Sequence, residues 1–228
     1  MFGFDLDHPD MAGLKKHLKT LPYKKGTIIL NPLEETDYVH VIQDGFVKAY
    51  TVNARGEEAI AAIFGRDDFF PLAWIIGQKR HFIYVQAISD CTITLLPLDK
   101  FEAQLKVNVN LTYAVMQKIL EQFMLYSSTV NNLSLKYGRE RLAYRLLLLA
   151  AKFGDKRGNA ICLPHISQFD LAAMVNVSRE GISREMSRFD RMGILKYSSK
   201  GIEIHDIKAL HKELGENIRV MFYDRPSR

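Results

Sequence analysis

The sequence predicts an α+β protein with an N-terminal antiparallel β-roll, a long helix and a C-terminal winged helix-turn-helix. Short apolar or alternating runs divided by turn residues follow Tyr23, as in a small barrel or jelly roll. Apolar side chains at alternating spacings of three and four over 108–137 indicate a helix with a coiled-coil seam. Residues 166–195 carry the caps and the turn of two short helices. We therefore expect domains at 1–107 and 138–228, joined by the helix.

Charge is unevenly distributed along the 228 residues. Residues 138–228 hold 17 Lys and Arg against 11 Asp and Glu, whereas residues 1–137 hold 14 against 15. The basic half contains the helix-turn-helix, as attraction to phosphates requires. Two distant cysteines, Cys91 and Cys162, and no apolar run of membrane-spanning length argue against a disulfide framework and a membrane protein. The acidic N-terminus is unlike a signal peptide, so we expect a soluble, cytoplasmic protein.

The N-terminal third is predicted to begin with a helix and to continue with strands. The first 20 residues suggest a short amphipathic helix with Met11, Leu14 and Leu18 on its apolar side. The turns between the predicted strands lie at Gly26, Asn31-Pro32, Asp44-Gly45 and Arg55-Gly56. The segment FIYVQAISDCTITLLPLDKF predicts two more strands, and its Pro97 leads into a helical stretch.

The long helix is predicted to present two apolar faces. One is a seam with coiled-coil spacing, formed by Met116, Ile119, Phe123, Tyr126, Val130, Leu133 and Tyr137. The other faces the β-roll and is formed by Leu111, Val115, Leu120 and Leu125. A seam of this kind is either a dimer interface or plain core.

Residues 166–195 are predicted to form two helices around a tight turn. Ser167 occupies the N-cap of the first helix, and Asp170 three residues later makes a capping box. Asn176 lies at the turn, where a residue that tolerates left-handed backbone is useful. Ser178 caps the second helix. The core-facing residues of that helix are Ile182, Met186 and Phe189.

The other side of the second helix carries side chains that can read base edges in the major groove: Arg179, Glu180, Ser183 and Arg184. We expect both arginines to donate to guanines and Ser183 to adjust the preference. Glu180 is expected to accept from cytosine and to steady Arg184 one turn away. A solvated face of an ordinary helical hairpin is the alternative, but capping, turn and polar face agree on a DNA-binding unit.

The flanking segments complete the C-terminal domain. Gly138, before the buried helix LAYRLLLLAAKFG, is a candidate pivot because glycine permits a change of direction. The segment GDKRGNAICLPH predicts two strands, and GILKYSSKGIEIHD predicts a hairpin, the wing, with its tip over 198–201. Phosphate contacts, which add affinity but no sequence information, are expected from Ser167, Ser178, Arg188, Lys196, Ser199 and Lys200.

This order of parts resembles the cyclic-AMP receptor protein and fumarate-nitrate regulator (CRP/FNR) family from about Tyr23 to about His205. The resemblance is carried by KKGTIIL and VIQDGFVKAY in the roll, by RERLAYRLLLLA after the long helix, and above all by VSREGISR. The family's recognition helix typically shows Ser-Arg-Glu or Glu-x-x-Ser-Arg, and this chain has both between Ser178 and Arg184. The resemblance implies a cyclic-nucleotide-binding-like jelly roll, a long dimerisation helix and a winged helix-turn-helix.

The resemblance also implies what the chain binds. A CRP/FNR-type regulator is a homodimer that places two recognition helices on a palindromic, TGTGA- or TTGTGA-like site in double-stranded DNA. We favour the dimer interface over plain core for the apolar seam, since a palindrome needs a two-fold-symmetric protein. RNA polymerase is an expected partner if the protein activates transcription, and no membrane partner is expected.

The residues that hold cyclic nucleotides in this family are replaced. Members that bind these ligands have Gly-Glu-Leu at the ribose and Arg followed by Ser or Thr at the phosphate. The triplet positions are occupied here by Pro71, Leu72 and Ala73. His81 and Phe82 stand at the Arg-Ser positions, although a shift of one residue would place Arg80 there. A buried phosphate needs a charge and donors, and a ribose hydroxyl needs an acceptor, so control by cyclic AMP is not expected.

The other sensing chemistries leave alternatives open. The N-terminus has no cysteine, which excludes the family's iron-sulfur cluster. Haem stays an alternative because several histidines could supply an axial nitrogen: His8, His17, His40 and His81. Isolated histidines are more often surface residues, so no cofactor is predicted. A candidate effector pocket comprises Phe70, Leu72, Trp74, His81, Phe82, Tyr126 and Ser127, and a filled core that needs no ligand is the equal alternative.

A homodimeric, sequence-specific DNA-binding transcription regulator is thus the leading hypothesis. A ligand-binding module, as in cyclic-nucleotide-gated kinases or channels, is a second class, and the replaced ligand residues argue against it. An enzyme is the third class and is not expected. The sequence shows no nucleophile-base pair, metal-ligand cluster or phosphate loop, and His165 near Asp170 is more simply a loop residue beside a cap.

Overall fold

The computed structural model describes residues 11–71, 82–132 and 135–215. The chain divides into two compact units, the first comprising Met1–Val52 and Ile60–Met124 and the second comprising Asn53–Ala59 and Leu125–Arg228. None of the described helices is long and apolar enough to cross a membrane.

The first unit contains the predicted β-roll. Its strands are β1 (Lys19–Tyr23), β2 (Ile28–Leu30), β3 (Tyr38–Asp44), β4 (Val47–Val52), β5 (Glu58–Phe64), β6 (Phe69–Phe70), β7 (Tyr84–Ala87) and β8 (Cys91–Pro97). They form two four-stranded sheets with the orders β1-β8-β3-β6 and β2-β7-β4-β5. Neighbouring strands such as β3 and β8 run antiparallel, so the antiparallel roll is confirmed.

The N-terminal segment differs from its prediction. Instead of a helix over the first 20 residues, the described part has a 3-10 turn at Lys15–His17, and β1 already begins at Lys19. Pairing with β8, in which Leu21 lies opposite Ile93 and the hydroxyls of Thr20 and Thr94 are 2.9 Å apart, outweighs the local helical spacing. Met11 and Leu14 are nevertheless buried, as their apolar character predicts.

Two apolar cores lie on opposite sides of the sheet that contains β3. Successive residues of a strand point to opposite faces, so Val41 joins one core and Ile42 the other. The roll interior, between the two sheets, includes Phe64, Phe70 and Ile93. The outer core packs β3, β6 and β8 against the N-terminal segment and the following helices.

Those helices are α1 (Leu98–Val107) and α2 (Val109–Asn132). They are separated at Asn108, whose side-chain Oδ1 accepts the backbone N–H of Leu111 at 3.0 Å and so caps α2. Leu111 and Val115 are buried in the outer core, which confirms the prediction for two of the four residues expected to face the roll. The helix was predicted to continue to Tyr137, but the described part of α2 ends at Asn132, residues 135–137 are not helical and Tyr137 is the N-cap of the next helix.

The second unit is a winged helix-turn-helix. Its elements are α3 (Gly138–Phe153), β9 (Asp155–Arg157), β10 (Ala160–Leu163), α4 (Gln168–Val175), α5 (Arg179–Arg191), β11 (Leu195–Ser198), β12 (Gly201–Ile204) and α6 (Ile207–Lys212). The strands form one sheet in the order β11-β12-β10-β9, so both predicted strand pairs are present and share a sheet. Gly201, with φ 137°, begins β12 where a Cβ would lie 2.3 Å from the Leu163 carbonyl oxygen. That contact requires glycine and holds the wing against β10.

Candidate nucleic-acid interface

The capped helix pair has the local geometry that the sequence predicts. Ser167 Oγ accepts the backbone N–H of Asp170 at 3.0 Å and its hydroxyl donates to the Asp170 carboxylate at 2.6 Å. Asn176 ends α4 in the left-handed region, with φ 52° and ψ 57°. Ser178 Oγ accepts the N–H of Gly181 at 3.1 Å and so caps α5. Both helix starts and the turn between them are thereby fixed by short-range hydrogen bonds.

Helix α5 has one buried and one exposed side. Ile182, Met186 and Phe189 are buried, at 2% exposure or less, as their spacing predicts. On the other side the candidate base-reading residues Arg179, Glu180 and Arg184 are exposed, and Ser183 is half-buried. Glu180 was expected to steady Arg184, but within the described residues the two form no ion pair within 4.0 Å. Their polar groups are therefore available to an external partner.

The turn before α5 is closely packed around Val177. A Cβ on Gly138 would lie 3.1 Å from Val177 Cγ2, and one on Gly181 would lie 2.7 Å from Val177 Cγ1. Gly138 is the first residue of α3 and its φ is not positive. A side chain at this position would press against Val177 of the turn. The pivot role of Gly138 stays a prediction.

Two arginines of α3 hold the same turn, and sequence reasoning assigned neither this role. Arg141 Nε–H donates to the Val175 carbonyl at 2.9 Å, and Arg145 donates to the Met174 carbonyl at 3.3 Å. These carbonyls lie at the C-terminal end of α4, where helix carbonyls lack intrahelical partners. Arg145 is only 5% exposed, and burial lowers its pKa to about 10. The spacing of Arg141 and Arg145, one helical turn apart, was the signal that could have found the pair.

The candidate phosphate-binding residues other than Arg188 divide into two groups. Lys196, Ser199 and Lys200 are exposed on the wing. Ser167 and Ser178 already use their hydroxyls as helix caps. Their phosphate contacts remain predictions.

Arg188 is paired with carboxylates of its own chain, although its side chain is 35% exposed. Its guanidinium donates two hydrogen bonds to the carboxylate of Glu213, at 2.9 and 3.2 Å, and lies 3.5 Å from Glu185. Hydrogen bonding to Glu213 raises the pKa of Arg188. A contact to a DNA phosphate would compete with this bidentate pair, which connects α5 to the residue that ends α6.

His165 and Asp170, which the sequence offers as the nearest approach to an acid-base pair, form no hydrogen bond with each other in the described structure. The Tyr197 hydroxyl lies 3.5 Å from His165 Nε2 and donates to the Ile166 carbonyl at 3.3 Å. The Asp170 carboxylate receives the Ser167 hydroxyl. His165 is a loop residue that packs beside the wing.

The candidate effector pocket is only partly described. Phe70 is buried in the roll interior, where its ring stacks on His40 at 5.1 Å and lies 5.9 Å from Phe64. This aromatic packing places Phe70 in the filled interior of the roll. Phe82 is 69% exposed, and Tyr126 and Ser127 are half-buried on α2. Leu72, Trp74 and His81 lie outside the described residues.

An exposed apolar row runs along α2 and differs from the predicted seam. Its members alternate at spacings of four and three and are each more than half exposed: Val109, Tyr113, Met116, Leu120 and Phe123. Val130, later in the same helix, is 65% exposed. Ile119, which was predicted in the seam, instead packs against the outer core of the roll. Leu120, which was predicted to face the roll, is 56% exposed.

The remaining residues of the predicted seam differ in how far they are exposed. Tyr126 is half-buried, and the Leu133 position lies outside the described residues. Tyr137 is 48% exposed as the N-cap of α3. The exposed row therefore retains Met116 and Phe123 from the prediction, and Val130 is exposed later in the same helix.

Comparison with known proteins identifies the family. Residues 20–108 match the cyclic nucleotide-binding domain, and residues 140–213 match the Crp-like helix-turn-helix domain. The chain is 22% identical over 201 residues to the CRP-like cAMP-activated global transcriptional regulator of Mycobacterium tuberculosis, covering 88% of this chain and 90% of the relative. It is 24% identical over 203 residues to the fumarate and nitrate reduction regulatory protein of Escherichia coli, covering 87% and 80%.

Solved structures show the same fold. FixK2 from Bradyrhizobium japonicum superposes with a TM-score of 0.77 at 21% identity, covering 88% of this chain and 99% of that chain. A CooA variant from Carboxydothermus hydrogenoformans superposes with a TM-score of 0.74 at 23% identity, covering 91% and 92%. With a cyclic nucleotide-binding domain followed by a Crp-like helix-turn-helix, the chain belongs to the CRP/FNR family of DNA-binding transcription regulators.

Proposed function

We propose that this protein is a homodimeric, sequence-specific regulator that reads a palindromic, TGTGA- or TTGTGA-like site with α5 in the major groove. The exposed polar side of α5 is the observation that carries this proposal. Arg179 and Arg184 are exposed, and neither is paired with a carboxylate in the described residues. Guanidinium groups in that state can each donate two hydrogen bonds to a guanine.

Glu180 and Ser183 of α5 are also proposed to contact bases. Glu180, exposed in the first turn, can accept from a cytosine amino group, and Ser183 can contact either partner of a base pair. The wing residues Lys196, Ser199 and Lys200 add phosphate contacts that position the protein without selecting a sequence. Ser167 and Ser178, at the N-caps of α4 and α5, are further phosphate candidates because helix N-termini attract anions.

The exposed row on α2 supports the homodimer. Apolar side chains that repeat with coiled-coil spacing and are more than half exposed need a partner surface, and a second copy supplies an identical one. Two copies related by a two-fold axis present two α5 helices to the two half-sites of a palindrome.

The input signal is proposed to differ from cyclic nucleotides and iron-sulfur clusters. Pro71 begins the stretch that replaces the family's ribose-binding triplet, and Phe82 stands at the position of a phosphate-binding hydroxyl. A small apolar effector and a regulator without any ligand both fit these residues, and haem stays a weaker alternative. We also propose that the protein is cytoplasmic, is not an enzyme, and contacts RNA polymerase if it activates transcription.

Selection of bound duplexes from a random pool tests DNA recognition. We expect enrichment of inverted repeats whose half-site centres lie about 10 base pairs, or a multiple of that, apart, because both helices must meet the same face of the duplex. A bound pool without a shared sequence, or one with single asymmetric half-sites, would contradict the proposal.

Sedimentation of three variants tests the dimer and its interface. Leu120→Glu should give a folded monomer, since it places a charge in the exposed row. Asn110→Glu, at an exposed position of α2 outside that row, is the matched control and should leave a dimer. Ile119→Glu should instead lower the free energy of unfolding, because Ile119 packs against the outer core. A dimer that survives Leu120→Glu would exclude this interface.

Protein purified from its own host tests the effector. Mass spectrometry and an absorption spectrum would show a bound metabolite or chromophore. Calorimetric titration with cyclic AMP and cyclic GMP should give no binding heat, and saturable binding of either nucleotide would contradict the proposed loss of that control.

A further inference from the structure

The three residues before α3, 135–137, contact the turn of the helix-turn-helix, 176–178, through one side chain. We propose that Arg141 is a positioning residue for DNA recognition, whose guanidinium couples the backbone of 135–137 to the turn that orients α5. The inference rests on the proposed role of α5 in reading DNA. It adds a residue that touches no base and acts by holding the base-reading helix in place.

The turn side of this coupling consists of two carbonyls. Arg141 Nε–H donates to Val175 O at 2.9 Å, and one terminal nitrogen, Nη2, lies 3.4 Å from Asn176 O and donates to it. Asn176 has a left-handed backbone, and α5 begins at Arg179, three residues later. Any rotation of the peptide after Val175 or Asn176 therefore changes both the hydrogen bonds to Arg141 and the direction in which α5 leaves the turn.

The other side consists of the carbonyls that precede α3. Arg141 Nη1 donates to Leu135 O at 3.0 Å and more weakly to Lys136 O at 3.5 Å. A guanidinium is planar and its five N–H groups form a rigid fork, so these bonds and those to the turn cannot be adjusted independently. Movement of 135–137 is thereby transmitted to residues that lie 34 and 35 positions from Arg141 in sequence.

Packing between the same two segments supports this coupling. Gly138, next to the linker residues 135–137, approaches Val177 of the turn so closely that a Cβ would lie 3.1 Å from Val177 Cγ2. The start of α3 is itself fixed, because the Glu140 carboxylate accepts the backbone N–H of Tyr137 at 3.2 Å. The arginine fork thus lies between two segments that are already in contact.

Arg139 offers a matched comparison two residues earlier in the same helix. It is exposed, and its guanidinium carbon lies 5.1 Å from the centre of the Tyr137 ring. A lysine can keep such a cation–π contact but cannot reproduce the fork of Arg141. Arg141→Lys and Arg139→Lys therefore make the same chemical change, but only Arg141→Lys removes the coupling.

The test is a double-mutant cycle on DNA affinity, at a temperature where circular dichroism shows every variant to be folded. Arg141→Lys should weaken binding to the selected duplex about ten-fold, a loss within the range of interaction energies measured between residues in contact. Arg139→Lys should leave the affinity unchanged. Lys136→Gly, which loosens 135–137 without removing a backbone donor or acceptor, should also weaken binding. In the Arg141→Lys background Lys136→Gly should have little further effect, since the path that transmits it is already broken.

Three results would overturn the inference. Arg141→Lys could bind the selected duplex as tightly as Arg139→Lys, or the losses from Arg141→Lys and Lys136→Gly could simply multiply. If Arg141→Lys does not fold, hydrogen exchange in Lys136→Gly decides, with faster exchange expected at 177 and 178. Exchange that changes only at 135–137 would exclude the coupling. If the unmodified protein prefers no duplex, the proposed DNA reading fails first, and this inference fails with it.

Discussion

The two units bury a cation in different ways. In the first unit Lys118 of α2 is 4% exposed and lies 2.9 Å from the carboxylate of Asp68, itself 1% exposed, just before β6. In the second unit Arg145 of α3 is 5% exposed and has one backbone carbonyl as acceptor, while its Nε–H has none among the described residues. For Lys118, burial acts to lower the pKa, but attraction to Asp68 is stronger and the net result is a raised pKa. For Arg145, burial is not offset and the pKa is lowered.

The difference shows which buried charges the fold depends on. Asp68 also accepts the backbone N–H of Gly65 at 2.9 Å, so the ion pair fixes α2 to a loop that is hydrogen-bonded to β3. Removal of Lys118 takes this cation from a buried carboxylate, whereas removal of Asp68 leaves Lys118 with Glu121, 3.5 Å away. Arg145 has no carboxylate partner among the described residues, so its removal leaves none of them unpaired. Arg179 and Arg184 of α5 form a third case, because they are exposed and have no carboxylate partner among the described residues.

The largest effect is expected from Lys118→Met. It leaves the Asp68 carboxylate buried without its cation and should lower the free energy of unfolding by about 3 to 5 kcal/mol. Urea unfolding at neutral pH measures this. The pair's contribution is full below the ordinary lysine pKa of 10.5 and is lost only as the pH rises through the raised folded-state value.

The control for this prediction is Lys118→Met combined with Asp68→Asn. The amide oxygen can still accept the N–H of Gly65, and no buried charge remains, so most of the lost stability should return. A double variant as unstable as Lys118→Met alone would show that the lysine acts through packing rather than through its charge.

The next effect is expected on DNA binding. Arg184→Ala should weaken binding to the selected duplex by about 1 to 3 kcal/mol and relax the preference at one base pair, with the thermal midpoint unchanged. Lys200→Ala should instead weaken binding to all duplexes similarly and reduce the salt slope by about one. Binding titrations on selected and random duplexes at several salt concentrations separate the two. An equal loss on random DNA for Arg184→Ala would remove its base-reading role.

A smaller effect is expected from Arg145→Met, which tests the comparison directly. The change removes one hydrogen bond but also the cost of burying an unpaired guanidinium, so the free energy of unfolding should change by less than about 1.5 kcal/mol. Above a pH of about 10 the folded chain loses a proton that the unfolded chain still holds, so the native residue becomes less unfavourable as pH rises. A loss as large as that of Lys118→Met would contradict the proposed difference.

The smallest effect is expected from Lys24→Met. Lys24 pairs with Asp90 at 2.7 Å, but their side chains are 87% and 64% exposed, so the urea midpoint at neutral pH should not change measurably. The hydrogen bond from Lys24 lowers the pKa of Asp90, so any contribution is present above the ordinary value of 3.8 and is lost as the pH falls. A clear loss of stability would show that the exposed fraction of the two side chains does not predict how much this ion pair contributes to the free energy of unfolding.

Short-range patterns in the sequence determine much of the fold and of the candidate site. The caps at Ser167 and Ser178, the left-handed Asn176 and the buried spacing of α5 depend on neighbours within a few residues, and all are confirmed. The exposed position of Arg179, Glu180 and Arg184 follows from that spacing. The roll, the wing and the family could likewise be inferred from turn residues and motifs.

Only the tertiary structure decided which apolar face of α2 is covered, which cations are buried and what Gly138 contacts. Ile119 and Leu120 are equally apolar neighbours, and packing against the roll alone separates them. The partners of Lys118, Arg141 and Arg188 are 50, 34 and 25 residues away in sequence. Local periodicity carries no information at such separations, because those contacts form only when distant elements pack together. The sequence by itself determined where this protein presents its candidate base-reading residues, and the tertiary packing decided what holds them in position.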